Sequence, residues 1–248
     1  MNKPITISRL DGFGSQLFSI ISGLAHCYKH NIKYAHTRIS NIKLLHSREF
    51  MNTEIRRAND FIDPIVANFP LTTTEPGKVF PHFHGEAFND RHGYYNNKFL
   101  TTLNECYNST VINNKLTIAI HVRRGDDIIE KDKQYRWVET DYYEKLIKYI
   151  LKKETDCLIK IFSWNDSGIN IKDERIEYHV SKGKGDIFMD NFLDLVHSDV
   201  LIVGSSTFSI AAGFFNKGKV LCSEKLMKLN QTAIPPIWED NFNQYFKD

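Results

Sequence analysis

The chain has 248 residues, of which 42% are hydrophobic and 25% charged, proportions that exclude a disordered tail protein, a collagen and a coiled coil. Its 32 basic and 30 acidic side chains nearly balance, which argues against a histone-like or polybasic membrane-binding protein. A chain of this length can bury one or two hydrophobic cores.

The amino terminus and the cysteines indicate a cellular compartment. The first residues contain no apolar signal core, and no run approaches the ~18 apolar residues of a transmembrane helix. The four cysteines are far apart in sequence, so no CxxC zinc or redox motif exists; they are Cys27, Cys106, Cys157 and Cys222. Isolated cysteines suit a reducing compartment, and we therefore expect a soluble cytoplasmic protein without a membrane span.

The chain opens with the pattern of an α/β unit. Pro4–Ser8 has the composition of a short strand, and Asp11–Gln16 is a glycine-rich turn. Apolar residues then recur at helical spacing, at Leu17, Ile20, Ile21 and Leu24. Small residues at Gly23 and Ala25 allow that helix to pack closely. Residues 36–112 contain four prolines and many aromatic side chains, and their pattern does not allow helices or strands to be assigned.

Regular patterning returns at Thr117. The predicted elements are strand Thr117–Val122, a helix marked by Tyr143–Leu151 with Thr140 or Asp141 as N-cap, strands Leu158–Phe162 and Ile176–Val180, helix Phe188–Val196, strand Val200–Val203, helix Phe208–Phe215 and strand Val220–Cys222. Strands that alternate with helices predict right-handed crossovers and a parallel sheet. A polar run at Asn113–Lys115 predicts two domains, residues 1–114 and 115–248.

Ligands of parallel α/β sheets bind at the carboxyl ends of strands, and the segment His121–Asp127 leaves one directly. Arg123 and Arg124 form a compact cationic group there, and a guanidinium fork matches two phosphate oxygens at once. His121 is placed to contact a base or ribose. An arginine pair bonded to the aspartates that follow it explains the segment equally well.

Other strand ends carry weaker signals. Gly204–Ser209 offers hydroxyls and amides at a helix N-terminus, an arrangement that binds anions or simply caps the helix. Gly12–Gln16 fits neither the dinucleotide fingerprint nor the Walker A loop and by itself indicates a tight turn. Phe162–Ser167 places Asp166 within reach of a ligand or in a surface turn. No Asp-x-Asp pair for a divalent metal occurs.

Taken together, three of these segments resemble the fucosyltransferase superfamily, and most closely the α-1,2-fucosyltransferases of glycosyltransferase family 11. Members have a Gly-x-Gly-Asn-Gln opening, a His-x-Arg-Arg-Gly-Asp segment and a late Ser-Ser/Thr-Phe-Ser segment. Here Gly12–Gln16, His121–Asp126 and Ser206–Ser209 follow in that order. Asp190–Asp199 is similar to the run that precedes the last family motif.

The resemblance implies a GT-B-like α/β fold, in which two Rossmann-like halves face a cleft. Residues 1–114 would form the acceptor-side domain, and residues 115–248 the nucleotide-sugar domain. It also implies inverting transfer of fucose from GDP-fucose to a glycan hydroxyl, with formation of an α-1,2 linkage as in the family that the chain resembles most. The reaction would need no essential metal or other cofactor. The partners would be the donor and a glycan acceptor, and no basic stripe with interleaved aromatics indicates nucleic acid.

By position, the resemblance implies that Arg123 holds the diphosphate. The other donor contacts expected are Gly14, Ser15, His121, Asp166, Ser206, Thr207 and Phe208. Without a metal, fixed guanidinium groups and helix-end amides have to stabilise the charge of the leaving group, which makes Arg123 and Arg124 catalytic candidates. The acceptor hydroxyl also has to lose a proton. Candidate bases are Asp126, Glu86 and Asp11, and Glu86 falls where family members contact the acceptor.

Departures from the family pattern leave two alternatives open. Ser15 stands where the family has Asn, which slightly favours a noncatalytic module that binds a sugar nucleotide. Ile210-Ala211 replaces the Trp pair that is usual after Phe-Ser in the α-1,2 enzymes, which bears on the linkage. A transferase that uses another deoxysugar nucleotide is the second alternative.

Overall fold

The structure is a computed structural model that describes residues 3–42, 48–107, 112–124, 138–181, 188–223 and 234–247. The chain forms two compact units. The first comprises Met1–Ser109 and Gln231–Ile237, and the second comprises Thr110–Asn230 and Trp238–Asp248. The sequence-based boundary at residue 114 falls a few residues beyond this division, and nothing in the sequence indicated the return of the chain at Gln231.

The first unit is built on a four-stranded parallel sheet. Its strands, in the order β3-β2-β1-β4, are β1 (Ile5–Ile7), β2 (Tyr34–Ala35), β3 (Thr72–Thr73) and β4 (Lys78–Phe80). Its helices are α1 (Phe13–His30), α2 (Arg48–Asn68), α3 (His84–Asn89), α4 (Arg91–Tyr94) and α5 (Asn97–Cys106). The side chains of residues 48–51 are not described.

Helix α1 begins earlier than the sequence predicted. Gly12 is its N-cap, so Gly14 and Ser15 belong to its first turn rather than to a glycine loop. The predicted close packing is confirmed, because a Cβ at Gly23 would lie 2.5 Å from Cγ1 of Ile7. Glycine at this position therefore lets α1 lie directly on β1.

Helix α2 was not predicted, although its buried residues follow a helical spacing. Ala58, Ile62, Ile65 and Val66 are buried, at intervals of three or four residues. Pro64 lies inside the helix, which is unusual because proline removes one backbone hydrogen bond. Residues 36–112 therefore contain regular helices and strands, although their prolines interrupt the sequence pattern from which such elements are predicted.

The second unit contains a five-stranded, wholly parallel sheet in the order β7-β6-β5-β8-β9. Its elements are β5 (Leu116–His121), α6 (Thr140–Lys153), β6 (Cys157–Ser163), β7 (Ile176–Val180), α7 (Phe188–Val196), β8 (Val200–Ile202), α8 (Thr207–Phe215), β9 (Lys219–Leu221) and, from Trp238 onward, α9 (Pro236–Tyr245). The predicted strands and helices of this half are confirmed, with ends shifted by a few residues at most. The central strand β5 buries Ile118, Ala119 and Ile120 completely, as expected for a parallel strand covered on both faces.

One predicted detail of the second unit is wrong. The N-cap of α6 is Glu139, and Thr140 is its first helical residue, rather than Thr140 or Asp141 being the cap. The Thr140 hydroxyl instead accepts a hydrogen bond from Nη2 of Arg124 at 3.3 Å. The Thr140 side chain, which the local sequence pattern assigned to capping, is therefore used in a contact with a residue outside the helix.

The protein is therefore α/β, with one parallel sheet in each unit. Within the ranges given above, none of the helices combines the length and apolar character needed to cross a membrane. All four cysteines are buried and none forms a disulfide, so each serves as a small side chain of the core.

Candidate functional site

The carboxyl edge of the second sheet has a topological switch point between β5 and β8. The chain leaves β5 towards β6 on one side and later returns to β8 on the other, which gives the strand order stated above. Crevices for ligands in open α/β sheets form outside the strand ends at such a point. Two of the segments singled out by sequence, His121–Arg124 and Gly204–Ser209, meet there.

Gly204 lies directly against His121. A Cβ at Gly204 would be 2.2 Å from the carbonyl oxygen of His121 and 2.9 Å from its Nδ1. Real Cβ atoms do not approach so closely, so the loop after β8 requires glycine to lie beside the end of β5. The sequence motif contained Gly204 but gave it no role, and a glycine immediately after a buried strand was the available signal.

The His121 side chain is neutral in this setting. Burial lowers its pKa to about 3, and the nearby charge of Arg123 acts in the same direction. Its Nδ1 is buried without a hydrogen-bond partner among the described residues. The imidazole also lies 5.9 Å, between ring centroids, from Phe208 in the first turn of α8.

Arg123 connects the two strand ends. Its Nη1 donates a hydrogen bond to the main-chain oxygen of Ser205 at 3.3 Å. Ser205 is fully buried and immediately precedes Ser206, the N-cap of α8. The guanidinium of Arg123, itself half-buried, is therefore held beside a helix N-terminus.

Arg124, in contrast, is only 7% exposed and bonds to the protein itself. Its Nη1 donates to the carbonyl of Arg123 at 2.8 Å, and its Nη2 donates to the carbonyl of Val138 at 3.0 Å and to Thr140. Its main-chain oxygen accepts from the amide of Asn165 at 2.8 Å. This geometry favours a positioning role for Arg124, which fixes the backbone that carries Arg123, over contact with a substrate.

The hydroxyls of the loop before α8 are largely used to build the helix end. The Ser206 side chain accepts from the amide of Phe208 at 3.3 Å, and Ser209 accepts from the amide of Gly204 at 3.1 Å. Ser206 thus caps the helix, as the simple-cap interpretation predicted, and the N-terminus of a helix attracts anions as a general rule. Thr207 and Phe208 are half-buried in the first turn.

The remaining predicted site residues lie elsewhere. Asp166 is exposed, and its carboxylate accepts from the amide of Gly168 at 2.9 Å, which is the surface-turn alternative. Asp126 lies outside the described residues. Gly14 and Ser15, in α1, and Glu86, exposed in α3, belong to the first unit, so the second sheet edge gathers only part of the predicted set.

Among the described residues, no group of three or more His, Cys, Asp or Glu side chains is arranged to hold a metal ion. Comparison with known proteins finds neither a family model nor a curated protein that matches this chain. The chemistry of the site is therefore argued from its own residues.

Proposed function

We propose that this protein is an inverting glycosyltransferase with a GT-B-like fold, which transfers fucose from GDP-fucose to a glycan hydroxyl in α-1,2 linkage. The observation that carries the proposal is the position of Arg123 at the switch point, bonded to Ser205 beside the N-terminus of α8. The order of the three sequence motifs supports the choice of donor.

The chemistry requires that growing negative charge on the diphosphate be stabilised as the glycosidic bond breaks. A guanidinium can bind two phosphate oxygens at once, and the N-terminus of a helix carries a partial positive charge of about half a unit. In the proposal, Arg123 and α8 supply both at one sheet edge. No metal ion is needed if these fixed groups already match the departing diphosphate.

The proposed nucleoside contacts are His121 and Phe208. Because the pKa of His121 is lowered to about 3, the ring is neutral near pH 7 and offers one donor and one acceptor. Such a group suits a ribose hydroxyl, and the ring of Phe208 provides apolar surface beside it.

The base that receives the acceptor proton stays a prediction for Asp126 or Glu86. Asp11, the third candidate, is less suited, because Oδ1 accepts from the amide of Gly12 and Oδ2 pairs with Arg9, both at 2.8 Å. Both of its carboxylate oxygens are thus already engaged by neighbouring groups of the protein.

A direct test measures GDP release from GDP-fucose, with lactose as acceptor and with EDTA present. We expect turnover in EDTA, a preference for GDP-fucose over GDP-mannose and UDP-glucose, and a product anomer opposite to that of the donor. Preference for another nucleotide would indicate transfer of a different sugar. GDP binding without turnover on any glycan would indicate a noncatalytic module, and absence of binding would contradict both proposals.

A further inference from the structure

The first unit contains an open groove that the proposed donor site does not use. It has a volume of about 650 Å³ and lies where β2 and β3 end side by side. Helix α2 forms one wall with Asp63, Val66 and Ala67, and residues of β1, β2 and β3 and of the segments that follow β2 and β3 form the others. The carboxyl edge of a parallel sheet is the usual place for a ligand, and this volume is typical of sites for small molecules.

Asp63 pairs with two other side chains of the groove lining. Asp63 Oδ1 lies 3.0 Å from Nε2 of His36, and Asp63 Oδ2 lies 2.9 Å from Nε of Arg38. Glu75 adds a second carboxylate to the lining, so two carboxylates face one guanidinium. A phosphate or another anion would meet more negative than positive charge here.

Threonine is the most frequent residue type in the lining. Five threonines contribute to it: Thr6, Thr37, Thr72, Thr73 and Thr74. The hydroxyls of Thr6 and Thr37 are 2.8 Å apart, and that of Thr72 donates to the carbonyl of Val66 at 2.6 Å. A hydroxyl that donates in this way keeps lone pairs that can accept from a ligand.

The apolar side chains of the lining are short and include little aromatic surface. They are Ala35, Val66, Ala67 and Pro76, and His36 is the one aromatic ring among the lining residues. A nucleobase would find no broad ring to stack on. Short aliphatic patches between hydrogen-bonding groups instead match a molecule whose C–H surfaces alternate with hydroxyls.

We propose that this groove binds an uncharged, polyhydroxylated ligand, namely a sugar residue of a mono- or oligosaccharide. Paired charges at Asp63 offer it both acceptor and donor atoms, the threonines offer hydroxyls, and Ala67 and Pro76 offer apolar contact. This site is additional to the donor site, and its argument uses no feature of the second unit.

The test is an amide NMR titration of the full chain with neutral methyl glycosides of galactose, glucose, mannose and fucose. Inorganic phosphate and AMP serve as anionic comparisons. We expect at least one glycoside to shift the amides of residues 72–77 and of Ala67, while phosphate and AMP leave them unchanged. Stronger shifts with either anion, or no shift with any glycoside, would overturn the proposal.

A matched pair of variants localises the binding. Ala67 is exposed and lines the groove, whereas its exposed neighbour Asn68 does not. Ala67→Trp should abolish the glycoside shifts, because its ring would occupy the groove. Asn68→Trp should retain them, because it adds the same bulky ring near the end of α2 but outside the groove. Retained binding in folded Ala67→Trp would show that the ligand lies elsewhere.

A second variant tests the hydroxyl contacts. Thr74→Val removes one exposed hydroxyl of the lining and should weaken glycoside binding about three- to tenfold, as for loss of one neutral hydrogen bond; unchanged affinity would contradict a hydroxyl-lined sugar site. The thermal response to GDP, recorded on the same samples, reports the donor site separately. Glycoside binding without a GDP response would contradict the proposed function alone, and the reverse would contradict only the groove.

Discussion

The hydrogen bond from Nη1 of Arg123 to the carbonyl of Ser205, 3.3 Å long, ties the end of β5 to the loop that follows β8. It joins the two strands on either side of the switch point and places a guanidinium next to the cap of α8. The proposed function depends on this relationship more than on any other contact.

Nucleotides that bind the proposed donor site should stabilise the folded protein. GDP and GDP-fucose should raise the melting temperature more than UDP or ADP, because a ligand that binds only the native state stabilises it by about 2.7 kcal/mol at a hundredfold excess over Kd. Differential scanning fluorimetry at matched nucleotide concentrations measures this. A larger shift with UDP would favour a transferase for another sugar.

Ser206 separates capping from anion binding. Ser206→Ala should cost about 1 kcal/mol of stability through loss of the N-cap. Ser206→Asp keeps a good cap but places a carboxylate where the diphosphate is expected. It should therefore melt like the wild type and yet bind GDP at least ~10-fold more weakly, a loss of about 1.4 kcal/mol.

Two further outcomes bear on the same loop. Thr207→Val should weaken GDP binding by about 1.5–3 kcal/mol if its hydroxyl meets a charged phosphate oxygen. If Ser206→Asp binds GDP as tightly as the wild type, the N-terminus of α8 is a structural helix end and holds no diphosphate.

Gly204 should not tolerate a side chain. Gly204→Ala places a Cβ within 2.2 Å of the His121 carbonyl, and relief of that overlap should cost about 1–3 kcal/mol of stability. Gly85→Ala is the control, because a Cβ there would meet no described atom within 4 Å and α3 gains helix propensity. Equal melting temperatures for both variants would disprove the close approach of the two strand ends.

The sequence predicted the second unit well because its elements carry their own patterns. Continuous apolar runs such as Val200–Ile202 and the helical spacing within Phe188–Val196 are local signals of buried parallel strands and packed helices. The first unit was harder, since β2 and β3 have only two residues each and Pro64 interrupts the helical pattern of α2. Elements this short are fixed by tertiary packing instead of by their own composition.

For the site, the sequence identified the segments that meet at the sheet edge but not the different roles of the residues within each segment. Arg123 and Arg124 look equivalent in the chain, and only long-range contacts to Val138 and Thr140 show that Arg124 is used internally. Local pattern gives no information on partners that are about fifteen residues away.

Acid should destabilise the protein below neutral pH. Burial, the largest cause in each case, lowers the pKa of His26 to about 4 and the pKa of both His84 and His121 to about 3. In the unfolded chain these groups titrate near 6.5, so the unfolded state binds more protons between these values. The contribution of these neutral histidines to the free energy of unfolding is then fully present above pH 6.5 and is lost progressively as the pH falls towards 3.

Urea unfolding from pH 7.5 to 4 measures this dependence. His84→Gln cannot take up the proton and should show a shallower decline than the wild type over the same range, whatever its stability at pH 7.5. An unchanged slope in His84→Gln would mean that other groups cause the acid sensitivity.

The most direct test of the proposed function compares Arg123→Lys with Arg124→Lys for both turnover and melting temperature. Lysine keeps the charge but loses the fork that binds two phosphate oxygens. Arg123→Lys should therefore lower turnover of GDP-fucose by roughly 10²–10³ with little change in melting temperature, whereas Arg124→Lys should mainly lower the melting temperature. A stable Arg123→Lys protein with near-normal turnover would contradict the assignment of Arg123 to the diphosphate.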